Sequence, residues 1–84
     1  MAGPTVTAQL LDAVERALGG DWESAHRIVQ DLDDSVAAWI HAVVHRMEGD
    51  VSNARYWYRR CGRQLREDVS TTAELQEIKA VLLD

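Results

Sequence analysis

The feature that most constrains the fold is a Gly-Asp pair that occurs twice, 29 residues apart, as Gly20-Asp21 and Gly49-Asp50. Glycine accepts the left-handed backbone at the end of a helix, and an aspartate after it caps the start of the next helix. Apolar residues recur at helical spacing on both sides of each pair. Each pair therefore predicts a tight turn between two helices, and the chain is expected to form two helical hairpins.

Five helices are predicted from the apolar spacing and the capping residues. They cover about residues 5–18, 21–32, 35–48, 50–61 and 71–83. Whether the fourth helix ends at Gly62 or continues through it stays open. No segment alternates between apolar and polar residues as a strand does. The sequence predicts an all-α fold.

A chain of 84 residues, 46% of them hydrophobic, suits one compact domain. We expect a single helical-repeat-like domain over residues 1–84. It would consist of hairpin 1 at about 5–32, hairpin 2 at about 35–61 and a C-terminal capping helix at about 71–83.

Small residues recur at equivalent positions of the two hairpins. In the 29-residue register Ala13 aligns with Ala42, and Ala25 aligns with Ala54, which lets neighbouring helices approach closely. The register is carried by TAQLLDAVERALGGDWESAHRIVQDL (7–32) and AAWIHAVVHRMEGDVSNARYWYRRC (37–61). It resembles the tetratricopeptide and Sel1-like helical repeats, although the period is shorter than the usual tetratricopeptide length of about 34 residues. AWIHAVVHRMEGD and NARYWYRR are also similar to short uncharacterised bacterial proteins.

Two repeats are fewer than the three or so that usually bury a continuous core. We expect the fifth helix to cover the open end of the stack. A second copy of the chain would do the same, so a homodimer is a further hypothesis.

His41 and His45 lie four residues apart on helix 3, with Glu48 three residues further on. Histidines at this spacing have three interpretations: packed structural side chains, solvent-exposed side chains along one side of the helix, or residues of a metal or acid-base site. The last alternative corresponds to a small metal- or histidine-dependent enzyme. His26 is interpreted as a ring in contact with Trp22 or as a third ligand of that site.

Arginines dominate the segment between Asp50 and Glu67, which contains no acidic residue. An arginine surface of this kind is a solvated or internally paired face, a protein-binding face or a nucleic-acid-binding face. The formal net charge of −5 disfavours nucleic acid. The candidate residues on this surface are Arg55, Tyr56, Arg59, Arg60, Arg63 and Arg66.

An exposed tryptophan would be the best candidate for an interface hot spot. By analogy with helical repeats, Trp39 is expected to face a groove between the hairpins, with Arg46 along the same edge.

Cys61 occupies a position where a small buried residue is expected, so its thiol is interpreted as inert.

The sequence lacks the motifs that characterise several classes of function. No apolar run approaches the roughly 20 residues of a membrane span, and the N-terminus does not resemble a secretory leader, so we expect a cytoplasmic protein. One cysteine excludes an intrachain disulfide. Phosphate-loop, dinucleotide and serine-nucleophile motifs are absent, and no cofactor is expected. The favoured function is a non-catalytic protein-interaction module that uses the groove or the arginine surface.

Overall fold

The computed structural model describes residues 5–84, and within that range it contains five helices and no strand. The helices are α1 (Val6–Leu18), α2 (Trp22–Val29), α3 (Ser35–Glu48), α4 (Val51–Arg60) and α5 (Thr71–Leu83). The predicted all-α class with about five helices is confirmed. The second helix ends at Val29, earlier than predicted.

Each helix begins after a residue whose side-chain oxygen accepts a hydrogen bond from a backbone N–H of the first turn. Such bonds satisfy donors that have no partner inside the helix. The five capping residues are Thr5, Asp21, Asp34, Asp50 and Ser70.

The two Gly-Asp pairs adopt the same turn. Gly20 and Gly49 have φ angles of +87° and +89°, in the region that favours glycine. The N–H of the following aspartate donates back into the preceding helix, from Asp21 to the Arg16 carbonyl and from Asp50 to the His45 carbonyl, both at 2.9 Å. The local structure therefore repeats with the 29-residue period of the sequence.

Helix α1 packs against α2, and α3 packs against α4, so each turn joins two helices that are neighbours in space. The four alanines at equivalent positions, Ala13, Ala25, Ala42 and Ala54, have no exposed surface. Helix α3 contacts all four other helices and holds nine buried residues. It is the central helix, as its nearly continuous apolar surface predicts.

Helix α5 lies across α1 and α3, the first helices of the two hairpins. Leu75 and Ile78 are its buried apolar residues, and Lys79 pairs with Glu15 of α1 at 2.7 Å. Helix α5 thus covers the face that α1 and α3 share, rather than extending the stack beyond α4.

None of the helices formed by residues 5–84 combines the length and apolar character that crossing a bilayer requires.

Helix α4 ends at Arg60, and Gly62 follows with a φ of +73°. The backbone N–H of Arg63 donates to the Tyr58 carbonyl at 2.8 Å, which turns the chain away from the helix axis. Arg63 and Arg66 therefore lie in the connection between α4 and α5. Of the two alternatives left open by the sequence, the fourth helix therefore ends before Gly62, and the candidate arginines do not all share one helical arc.

Candidate functional site

Helix α4 presents an exposed surface rich in arginine, which we call the arginine face. It comprises Arg55, Tyr56, Arg59 and Arg60 on the helix and Arg63 from the connection after it. The first four are exposed because Ala54 and Tyr58 turn the opposite side of α4 into the core. Five of the six candidate residues thus lie on this exposed surface, although they come from two segments, whereas Arg66 pairs with Glu77 of α5.

Aromatic rings hold two of these arginines in place. The guanidinium of Arg63 lies 3.4 Å from the centroid of the Trp39 ring. The Arg60 guanidinium lies 5.1 Å from the Trp57 ring, and it donates to the Tyr56 hydroxyl at 3.1 Å. Stacking over a ring fixes a planar guanidinium while leaving its N–H groups free to bind an anion.

A surface recess of about 280 Å³ opens between α4 and the connection that follows it. Three guanidiniums line it, and no carboxylate does. Its lining residues are Arg55, Tyr58, Arg59, Arg63, Gln64 and Leu65. A second recess of about 300 Å³ continues from Arg63 and Gln64 towards Arg66 and Glu74.

The arginines of the first recess have little competition from carboxylates of the same chain. Arg55 approaches Glu67 at 3.6 Å, but both side chains are more than half exposed, and such a pair contributes about 1 kcal/mol or less. Among residues 5–84, neither Arg59 nor Arg63 forms an ion pair. The recess is therefore open to an external anion.

Trp39 and Arg46 are not part of an exposed surface, so that prediction is wrong. Trp39 is only 3% exposed and the Arg46 side chain 13%, because α5 lies over the face of α3 that was expected to line a groove. Both side chains instead bind the buried carboxylate of Glu74.

Glu74 is the centre of a buried polar network between α3, α4 and α5. Its Oε2 accepts from the Trp39 indole N–H at 2.8 Å. Its Oε1 accepts from Arg46 Nη1 and from the Tyr58 hydroxyl, both at 2.7 Å. Arg46 also donates to the Val69 carbonyl at 2.7 Å. Burial and the bond to Glu74 raise the pKa of Tyr58, so its hydroxyl remains a donor.

This role of Glu74 is not among the functions predicted from the sequence. The cap of α5 is Ser70, whose hydroxyl accepts from the Ala73 N–H. The sequence contains one indication of this role. Glu74 lies on the side of α5 that holds Leu75 and Ile78, and a carboxylate buried on that side requires hydrogen-bond partners.

The three histidines meet at the junction of α2 and α3. His26 Nε2 lies 3.0 Å from His41 Nε2, and one ring nitrogen from each of His26, His41 and His45 lies within 4.8 Å of the others. His45 Nδ1 lies 2.9 Å from a Glu48 carboxylate oxygen. The spacing of His41, His45 and Glu48 in the sequence is enough to predict that they lie on one side of α3. The contact of His26 with His41 depends instead on the packing of hairpin 1 against hairpin 2.

Burial disfavours the charged forms of His26 and His41. Desolvation, aided by the two neighbouring imidazoles, lowers the pKa of His41 to about 3. Desolvation also lowers the pKa of His26, with a smaller contribution from His45. The His41 ring stacks on the Trp57 ring at 3.8 Å between centroids, and its Nδ1 has no hydrogen-bond partner within residues 5–84.

The burial of these imidazoles argues against the enzyme alternative. His41 and His45 are 4% and 9% exposed, and the Trp57 ring covers His41. A general acid or base has to reach a substrate proton at hydrogen-bond distance, which this packing prevents. Cys61 is half-buried, with a thiol pKa raised by burial, as expected of an unreactive thiol.

Comparison of the chain with protein-family models, with curated proteins and with solved structures found no significant match.

Proposed function

We propose that this protein is a non-catalytic interaction module whose arginine face binds an acidic segment of a partner protein. The observation that carries the proposal is the recess in which Arg55, Arg59 and Arg63 meet without a carboxylate. We infer that the two helical hairpins form a tetratricopeptide-like repeat. A stack of this kind can present an exposed helix surface to a partner protein. A cytoplasmic location is part of the same proposal.

The chemistry of the recess favours carboxylate side chains. A guanidinium offers parallel N–H donors that match the two oxygens of a carboxylate, and each bidentate pair fixes the orientation of the bound group. Stacking on Trp39 holds Arg63 before a ligand arrives, which reduces the entropy lost on binding. Half-buried Leu65 adds apolar surface for the stem of a bound glutamate.

Size and net charge disfavour nucleic acid as the ligand. A recess of about 280 Å³ accommodates one or two side chains, whereas a nucleic-acid backbone needs a continuous basic track. The formal net charge of −5 also repels a polyanion at long range. A short acidic peptide has fewer negative charges than a nucleic acid, so it is repelled less.

Charge reversal at the recess tests the proposal. A fluorescent glutamate-rich peptide is titrated at low salt against the wild type and against Arg55→Glu plus Arg59→Glu. We expect the double variant to bind at least about 10-fold more weakly, and added salt to weaken wild-type binding.

The matched control is Arg16→Glu plus Arg27→Glu, which changes the net charge equally but on exposed positions of hairpin 1. The control is expected to retain most of the affinity. Equal losses in the two double variants would show that only net charge matters, and absence of wild-type binding would also reject the proposal.

A further inference from the structure

The chain has three histidines, and all three converge on one point. His26 comes from hairpin 1, while His41 and His45 come from hairpin 2. The closest nitrogens, the Nε2 atoms of His26 and His41, are 3.0 Å apart. Exposed acidic residues often cluster without a ligand, but three imidazoles that two hairpins bring to one point form a preorganised set of nitrogen donors.

The spacing of these donors fits a tetrahedral metal ion. At Zn–N distances of about 2.0–2.1 Å, two ligand nitrogens of a tetrahedral site lie about 3.4 Å apart. The Nε2 atoms of His26 and His41 are already slightly closer than that, and the His45 nitrogen lies within 4.8 Å. Small ring rotations, chiefly of half-buried His26, would bring the three nitrogens to these distances.

Glu48 supplies the outer contact that metal-binding histidines usually have. Its carboxylate lies 2.9 Å from His45 Nδ1 and accepts a hydrogen bond from it, so Nε2 is the His45 nitrogen that would bind a metal. Without a metal, the Nε2 atoms of His26 and His41 lie 3.0 Å apart, a hydrogen bond in which one ring donates and the other accepts. A cation accepts both lone pairs at once.

We propose that His26, His41 and His45 bind one Zn²⁺ ion through their Nε2 atoms, with Glu48 orienting His45. The site is structural, because His41 and His45 are buried and the ion would join hairpin 1 to hairpin 2. Three protein ligands would leave a fourth position open to a water molecule on the side of half-buried His26, unlike the four protein ligands of most structural zinc sites. The proposal does not depend on the arginine face.

A metal clamp between hairpins suits a stack of only two repeats, which buries less surface than longer arrays do. An ion that binds the folded chain but not the unfolded chain raises the free energy of unfolding in proportion to the logarithm of its concentration. The melting temperature of the metal-free protein should therefore rise when Zn²⁺ is added.

Calorimetric titration of the metal-free full chain with ZnCl₂ tests the proposal, with Co²⁺ absorption as a second readout of coordination. We expect one ion per chain and the intense visible bands of tetrahedral Co²⁺. His26→Gln should weaken Zn²⁺ binding at least about 100-fold, and Glu48→Gln about 10- to 100-fold. His26 is chosen because it is half-buried and its replacement leaves the core of α3 intact.

Glu23→Gln is the matched control, since it removes one carboxylate from an exposed position of α2. It should bind Zn²⁺ as the wild type does, and circular dichroism should show that every variant folds. Absence of wild-type binding at micromolar protein would overturn the proposal. So would a folded His26→Gln variant with unchanged affinity and an unchanged rise in melting temperature.

Discussion

At the residue scale, Glu74 connects three helices through two carboxylate oxygens. It is 1% exposed, and its partners Trp39, Arg46 and Tyr58 are themselves largely removed from water. Burying a charge is costly unless its partners and hydrogen bonds compensate, and here each donor would be left unpaired if the carboxylate were lost. The network therefore makes the attachment of α5 sensitive to one residue.

Replacement of Glu74 should destabilise the protein far more than replacement of a neighbouring glutamate. Glu74→Ala leaves the Arg46 charge buried without a partner, so we expect a loss of about 3–5 kcal/mol in the free energy of unfolding measured with urea. Glu74→Gln, which retains an acceptor oxygen but not the charge, should fall between this variant and the wild type.

The control is Glu77→Ala, one turn further along α5. Glu77 pairs with Arg66 on the surface, and both side chains are more than two-fifths exposed, so the expected loss is below about 1 kcal/mol. Similar losses at Glu74 and Glu77 would show that the buried network contributes little.

At the element scale, the two hairpins depend on the left-handed glycines of their turns. Gly20 follows Gly19, yet only Gly20 has a positive φ, since Gly19 has a φ of −80°. A Cβ atom on Gly20 would meet no atom within 4 Å, so any effect of adding it comes from the backbone.

Alanine substitution at these two adjacent glycines should have different effects. Gly20→Ala should lower the free energy of unfolding by about 1–2 kcal/mol, the cost of a left-handed backbone at a residue with a Cβ atom. Gly19→Ala should leave it unchanged or raise it by up to about 1 kcal/mol, because alanine restricts the unfolded chain. Thermal or urea unfolding of the pair measures the difference, and equal losses would contradict this explanation of the turn.

Helix positions were predictable because their signals are local. Asp21 and Asp50 cap helices through the residue three positions on, and the alanines that pack the hairpins follow a short period. The burial of Trp39 was not predictable in this way, since its partner Glu74 lies 35 residues away on α5. Sequence spacing also identified Arg55, Arg59 and Arg63, but Arg63 reaches the recess from the connection after α4, because that helix ends before Gly62.

At the scale of the whole molecule, charge is distributed unevenly. The formal net charge is −5, but the recess beside α4 contains three guanidiniums and no carboxylate. Helix α5 covers the face shared by α1 and α3, so the groove once expected there is occupied by the chain itself. The arginine face is the surface that we propose for a protein partner. The homodimer stays a prediction, which light scattering at micromolar concentration tests.

The most direct test of the central claim, that the arginine face binds acidic protein segments, is chemical-shift mapping by NMR. The ¹⁵N-labelled protein is titrated with an unlabelled glutamate-rich peptide at low salt. We expect saturable shifts to concentrate at residues 55–65, around Arg55, Arg59 and Arg63. Shifts centred on α1 and α2 instead, or none at all at saturating peptide, would contradict it.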